Sequence, residues 1–443
     1  MDTIFLKIAM LINDWVHIPA WANVDRNLFF SSAWQEKHSI TSIKQLSVVL
    51  QGLTPDCLLE TEENSVHRSM AIRVPPYIIA RIDWNNYLLD PLRKQFIPLA
   101  SDFESDHPMS DFDSLSELND SPVEGVVHRY PKKALLLANE ACPVYCRFCT
   151  RSYLVGPSTL LLNKTKLTKA NPRLKKAIEY FSNNPQIEDV LVSGGDAYRL
   201  SPSRLFELGS SLLHIPSIRR LRFGTKGPAV LPMKLLDDDE WISTLKELAK
   251  IASGLRKNLD IQVHFNHVNE ISDLSRVAID ALLDAGVRLR NQTVLLRGVN
   301  DSCFELLRLF NKLVKLNVEP YYVYVHDMVA GAEDLRTTIK TACSIEKQIR
   351  GELPGYLTPR FVVDLPGGGG KRDIHSYDYY CRATGISVFS SPAVKPGRQF
   401  LFFDPLRDLS DEVKNAWLDN DLRADMIRSV LHAASLDVNM NPL

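Results

Sequence analysis

Short apolar runs alternate with helix-period stretches through the middle of the chain. The runs fall at 134–138, 189–193, 218–223, 261–265, 291–296 and 320–325, and six strands separated by helices predict a parallel βα array. Loops converge at the carboxyl ends of the strands in such arrays, so the chemistry gathers there. Polar and glycine-rich stretches occupy those ends here: Ser193-Gly-Gly-Asp196, Gly224-Thr-Lys-Gly227 and residues 264–270. Ahead of the array, residues 1–15 read as a helix and residues 42–53 as an amphipathic one. The acidic, Ser-rich stretch 102–120 reads as a surface connection. Behind it come a strand-like 360–364, a Pro/Gly-rich segment, a further strand at 386–389 and one or two amphipathic helices over 409–434. No internal repeat exists beyond the βα alternation. The expected organisation is a mainly helical N-terminal region (1–125), a core barrel (126–345) and a C-terminal segment with a helical tail (346–443).

Charge narrows the partners. Lys and Arg number 52 against 53 Asp and Glu, a formal charge of -1 over 443 residues, so the broad basic field of a nucleic-acid binder is lacking. No run approaches the roughly 20 apolar residues that cross a bilayer, and the opening residues have neither a basic lead nor a small-residue cleavage site. A cytoplasmic enzyme acting on small molecules is expected.

Cysteine placement adds a metal. Of the seven cysteines (57, 142, 146, 149, 303, 343 and 381), three crowd into Cys142-Pro-Val-Tyr-Cys146-Arg-Phe-Cys149, directly after an apolar strand. Three thiolates on one loop can hold three irons of a [4Fe-4S] cubane and leave the fourth open to a small ligand. Zinc is the competing reading, but structural zinc wants four ligands in paired spacings, and no second pair occurs. Buried structural cysteines are the bland alternative.

The second unusual feature is Asp364-Leu-Pro-Gly-Gly-Gly-Gly-Lys371. Four glycines cost backbone entropy and imply close approach of main chain to something. A flexible linker is the usual reading of such a run. A phosphate loop is disfavoured by Arg372, which cannot serve magnesium where Ser or Thr would. The remaining reading is a Schiff-base lysine at the end of a mobile glycine loop, free to swing away when a substrate amine displaces it from pyridoxal 5'-phosphate (PLP).

Together these motifs resemble the lysine 2,3-aminomutase family of radical S-adenosylmethionine (SAM) enzymes, from about residue 90 to 380. Asp90-Pro-Leu-Arg-Lys-Gln95, His128-Arg-Tyr-Pro131, the cysteine loop through Arg151, His264-Phe-Asn-His267, Asn291-Gln-Thr-Val-Leu-Leu-Arg-Gly298 and residues 320–327 carry the resemblance with the glycine run. It implies a partial (β/α)6 radical SAM barrel with a mainly helical N-terminal extension and a C-terminal segment bearing the PLP lysine. Cys142, Cys146 and Cys149 would hold the cluster; Ser193, Gly194, Gly195, Asp196, His264 and Gln292 would lie against SAM. Lys371 would bond to PLP beside Arg129 and Tyr130, with Lys133 near the phosphate where the family usually has an arginine. Arg151 would pair the substrate carboxylate, and Asp327 and Asp364 a distal ammonium.

Two carboxylates at one site favour a cation between them. The implied substrate therefore has a basic side chain, L-lysine first and L-arginine as the alternative. A relative that makes β-lysine for a translation factor and a non-enzymatic iron–sulfur sensor are the other readings. The resemblance implies a reducing partner such as flavodoxin or ferredoxin and leaves homo-oligomer formation open. Departures from the clostridial pattern are the missing C-terminal cysteines, so no structural zinc is expected, His326 beside the first acid, and an unmatched tail beyond about residue 382.

Overall fold

The computed structural model describes residues 15–53 and 68–440; most of the expected opening helix, and Cys57, lie outside them. Nine strands form one sheet in sequence order: β1 (Val126–Tyr130), β2 (Lys133–Asn139), β3 (Asp189–Gly194), β4 (Arg220–Thr225), β5 (Asn258–Val263), β6 (Arg288–Leu295), β7 (Glu319–Val325), β8 (Arg360–Leu365) and β9 (Gly370–Asp373). Every pairing from β2 to β8 is parallel, whereas β1 and β9 run antiparallel at the two edges. The result is a nearly closed α/β barrel.

Helices span Ala170–Asn183, Pro202–His214, Asp239–Gly254, Asp273–Asp284, Cys303–Lys315 and Ile339–Ile349 between successive parallel strands. Each strand then has its own crossover, as parallel neighbours require. Ser201, Asp238, Ser272, Ser302 and Thr338 cap five of them by accepting a backbone N–H, each cap stabilising by about 1 kcal/mol. Their apolar stripes, Leu205, Leu208 and Leu212 or Leu306, Leu309 and Leu313, are buried against the sheet.

Period-2 alternation decides what faces inward. Val190, Val192, Leu221, Phe223, Ile261 and Val263 pack outward under the helices. The intervening positions, among them Leu191, Ser193, Arg222, Gln262, Arg290 and Gln292, line a central cavity of about 580 Å³. Charged rungs cross its floor where the strands begin: Arg222 on Asp189 (2.7 Å), and Arg290 on Asp260 (2.6 Å) and Glu319 (3.0 Å).

One segment departs from expectation and another goes beyond it. Residues 102–120 are not a plain surface connection: His107, Ser114, Leu115 and Glu117 are buried. The carboxylates hold the stretch down by pairing cations of the barrel and of the helix Pro91–Phe96 ahead of it, Asp102 with Arg93, Glu117 with Arg151 and Asp120 with Arg129. At the other end, the strand expected at 386–389 is β11 (Ile386–Ser390), the middle of an antiparallel sheet with β10 (Tyr379–Cys381) and β12 (Gln399–Phe403). Helices Asp411–Leu418 and Asn420–Met440 follow. Among the described residues no helix is long and apolar enough to cross a membrane.

Candidate active site

The three thiols line the cavity, and the loop between them is anchored through Arg147, Phe148 and the backbone. Arg147, buried, donates from Nη2 to both oxygens of Asp334 at 2.9 Å and from Nη1 to the Lys94 carbonyl at 2.9 Å. Phe148 packs with Leu296, Val299 and Leu335, and the backbone N–H groups of Tyr145 and Arg147 donate to the carbonyls of Arg73 and Gln95. With Arg147 held away and the Phe148 ring set between those apolar side chains and His264 (ring centroids 5.7 Å apart), Cys142, Cys146 and Cys149 line the cavity, none in a disulfide. Burial pushes all three thiols up.

Beside the loop, the end of β3 packs on the end of β2. A Cβ at Gly194, where φ is +110°, would sit 2.4 Å from the Asn139 carbonyl oxygen, and one at Gly195 2.3 Å from that of Ala141. The glycines are thus required by the chain itself, to seat the strand end against the residues leading into Cys142. Asp196 is similarly engaged: it accepts from Tyr198 N at 2.8 Å and from Lys226 N at 2.7 Å. His264 stands across the cavity with Nε2 on Asn266 Oδ1 at 3.0 Å. Burial, then Lys226, holds its pKa well below the ordinary value, so the ring is neutral. Ser193 and Gln292 complete this wall.

The opposite wall forms at the seam between the edge strands. Lys371 stands on β9, directly across from Asp364 on β8, so the expected mobile loop is a paired strand at this residue. Such cross-strand neighbours meet, and Lys371 Nζ lies 2.5 Å from Asp364 Oδ2. The seam is tied by Lys371 N donating to Tyr130 Oη at 2.8 Å and by Arg129, 3.8 Å from Asp364 and 2.6 Å from Asp120. Burial alone would raise Asp364, but Lys371 and Arg129 overrule it and hold the carboxyl below the usual range. Asp327 receives Thr150 Oγ1 at 2.5 Å and is pushed up to about 7, by burial first and by Asp364 second.

Every residue singled out from the sequence as a candidate for cluster, cofactor or substrate lines this one cavity. Glu117, Tyr153, Thr150 and Tyr324 also converge on this region and were missed. The alternation on β7, with Val323 and Val325 buried outward, could have placed Tyr324 in the lumen; nothing local marks Glu117.

A nearly closed, parallel-rich α/β barrel with three thiols at the carboxyl end of a strand and a lysine at its seam is compatible with the barrel of the radical SAM enzymes. No family model matches the chain. It is 39% identical over 345 residues to L-lysine 2,3-aminomutase of Clostridium subterminale, covering 77% of each chain. It is 33% identical over 361 residues to that of Bacillus subtilis (81% of this chain, 71% of the relative) and 30% over 342 residues to glutamate 2,3-aminomutase of Clostridioides difficile (76% and 75%). The chain belongs to the lysine 2,3-aminomutase family. It is accordingly an isomerase, a 2,3-aminomutase, working with a [4Fe-4S] cluster, SAM and PLP.

The residues fit these groups. Among the described residues no three His, Cys, Asp or Glu side chains close on a single metal ion; a cubane asks only one thiolate per iron, and the three unpaired thiols on one wall can give that. For the PLP phosphate, Lys133 is a lumen cation with no carboxylate within ion-pair distance among the described residues, its Nζ 3.9 Å above the Tyr130 ring. Burial, then Lys371, brings its pKa down to about 8. Lys133 is therefore charged below pH 8 and loses that charge above it, so phosphate affinity should fall as pH rises through about 8. Pyridoxamine 5'-phosphate, which cannot bond to Lys371, titrated from pH 7 to 9, is expected to show this decline, and Lys133→Arg is expected to flatten it.

Proposed function

We propose that the chain interconverts L-lysine and its β-amino acid, with the side chains named from the sequence in the roles assigned there. The observation that carries the substrate is a pair of orphaned oxygens. Asp327 Oδ1 and Asp364 Oδ1 are both buried without a hydrogen-bond donor, and a buried acceptor left without a donor is costly. A distal ammonium supplies the missing donors and separates the two charges; the carboxylate of glutamate would add a third anion.

When bound, the cluster and SAM supply one-electron hydrogen abstraction, and PLP supplies a delocalising carrier for the migrating nitrogen. Cys142, Cys146 and Cys149 hold three irons. Ser193, Gly194, Gly195, Asp196, His264 and Gln292 form the SAM wall, to which the neutral His264 ring can offer a hydrogen bond without adding charge. Lys133 holds the phosphate by charge, Arg129 lies against PLP, Tyr130 fixes the backbone of Lys371, and Asp364 Oδ2 is placed to hold the Lys371 proton. Arg151 receives the substrate carboxylate, Asp327 and Asp364 the other end, which aligns C2 and C3 between the two walls. The barrel, with Leu115 and Glu117 in the cavity lining, excludes water. The electron comes from a small reduced carrier of the flavodoxin or ferredoxin kind.

The test is anaerobic reconstitution with iron, sulfide, PLP and SAM, then reduction and separate incubation with L-lysine, L-arginine, L-ornithine and L-glutamate, with products read by mass spectrometry. β-Lysine is expected; turnover of glutamate in preference to every basic amino acid overturns the reading. The acid pair gives a second readout. Asp327 is charged above about pH 7, so the KM for L-lysine should fall as pH rises through that value. In Asp327→Asn that slope should vanish and KM should rise about tenfold or more, the scale of a lost charge-assisted hydrogen bond.

A further inference from the structure

Arg151 meets the cavity with part of its guanidinium already committed. Its Nε and Nη2 donate to the two carboxylate oxygens of Glu117, both at 2.8 Å. Tyr153 Oη adds a third donor to Glu117 Oε2 at 2.9 Å. The partner is built in rather than draped over: Glu117 is 4% exposed. Its N–H and that of Leu118 donate to the two oxygens of Asp113 at 2.8 and 3.0 Å. The same stretch is tied to the glycine turn, where Gly367 N donates to the Ser114 carbonyl at 3.0 Å. Among the described residues Nη1 of Arg151 has no hydrogen-bond partner, and the side chain retains 23% exposure.

We propose that Glu117 is the positioning residue for the carboxylate end of the substrate, an inference resting on the reading that Arg151 receives that carboxylate. An arginine on four free torsions pays rotamer entropy when it orders around a ligand. Glu117 removes that freedom beforehand by taking the Nε–Nη2 edge, and so leaves the Nη1 side for the substrate. It also cancels the local charge. Recognition at this end then rests on hydrogen-bond geometry, which a free anion satisfies weakly, and which favours a carboxylate carried by a molecule already held at its ammonium end.

Glu117→Ala and the near-isosteric Glu117→Gln, reconstituted with cluster and PLP, are compared with the parent protein. Equilibrium dialysis of labelled L-lysine against unreduced enzyme is measured beside steady-state kinetics. In Glu117→Ala the Kd and KM for L-lysine are expected to rise about tenfold or more while kcat falls much less, the signature of lost uniform binding. Cluster absorbance and SAM affinity should not change. Formate, which can refill the vacated edge, should restore lysine affinity in Glu117→Ala with rising concentration and do nothing in Glu117→Gln. Glu117→Gln, which keeps the shape, should show a smaller loss and decides the matter if the alanine variant fails to fold. Unchanged lysine affinity in both variants overturns the proposal, as does tighter binding, which would make Glu117 a competitor for Arg151. Arg151→Lys separates the underlying reading: if it leaves lysine affinity intact, the role of Arg151 itself falls. If it weakens binding while the Glu117 variants do not, only the role of Glu117 falls.

Discussion

Cys142→Ala is expected to abolish the visible absorbance of the cluster, all reductive cleavage of SAM and all formation of β-amino acid. The argument is stoichiometric: three irons need three thiolates, and the fourth must stay open for SAM. No other described cysteine can stand in, since Cys303, Cys343 and Cys381 do not line the cavity. The loss should be chemical rather than structural. The loop is held by the Arg147–Asp334 pair and by backbone bonds to Arg73 and Gln95, none of which involves a thiol, so far-ultraviolet circular dichroism should match the parent. Iron analysis, absorbance and deoxyadenosine release check this together. Full iron occupancy with SAM cleavage in Cys142→Ala would remove this cysteine from the cluster.

What the sequence made legible follows from how local each signal is. The cysteine spacing and the strand before it lie within a few residues, and the alternation of βα units is periodic, so both could be read directly. The glycine run marked a tight approach, and a Cβ at Gly369 would indeed sit 2.6 Å from the Phe400 ring. The placement of Lys371 could not be read, because the register that sets it opposite Asp364 is a property of the β8–β9 pairing rather than of composition. Glu117 was hidden for the same reason: it lies 34 residues before Arg151, in a stretch whose acidity resembles a solvated loop. A carboxylate there is buried only because a cation far along the chain answers it. The Gly194-Gly195 pair shows the reverse case, where a motif read toward a ligand has a sufficient cause in the packing of β3 on β2.

Lys371→Ala is expected to eliminate covalently held PLP and to lower 2,3-aminomutase turnover by roughly 10⁴-fold or more, the scale on which deleting a covalent catalytic group acts. The cluster and its absorbance should be retained, since Lys371 lies on the seam wall and the cysteines on another. The electrostatics make a second outcome distinct from simple loss of the amine. Lys371 is the nearest cation to Asp364, 2.5 Å away, with Arg129 at 3.8 Å, and it outweighs the burial that would otherwise raise this carboxyl. Removing it should bring Asp364 up toward Asp327, already at about 7, leaving two buried acids that repel and hold a shared proton near neutral pH. Binding of L-lysine to Lys371→Ala, followed by dialysis, should therefore release more protons at pH 6 to 7 than binding to the parent does, and depend on pH more steeply. Calorimetry in buffers of different ionisation enthalpy measures that proton. If lysine binds with no more proton release and no steeper pH dependence than in the parent, Lys371 does not set the charge state of the acid pair.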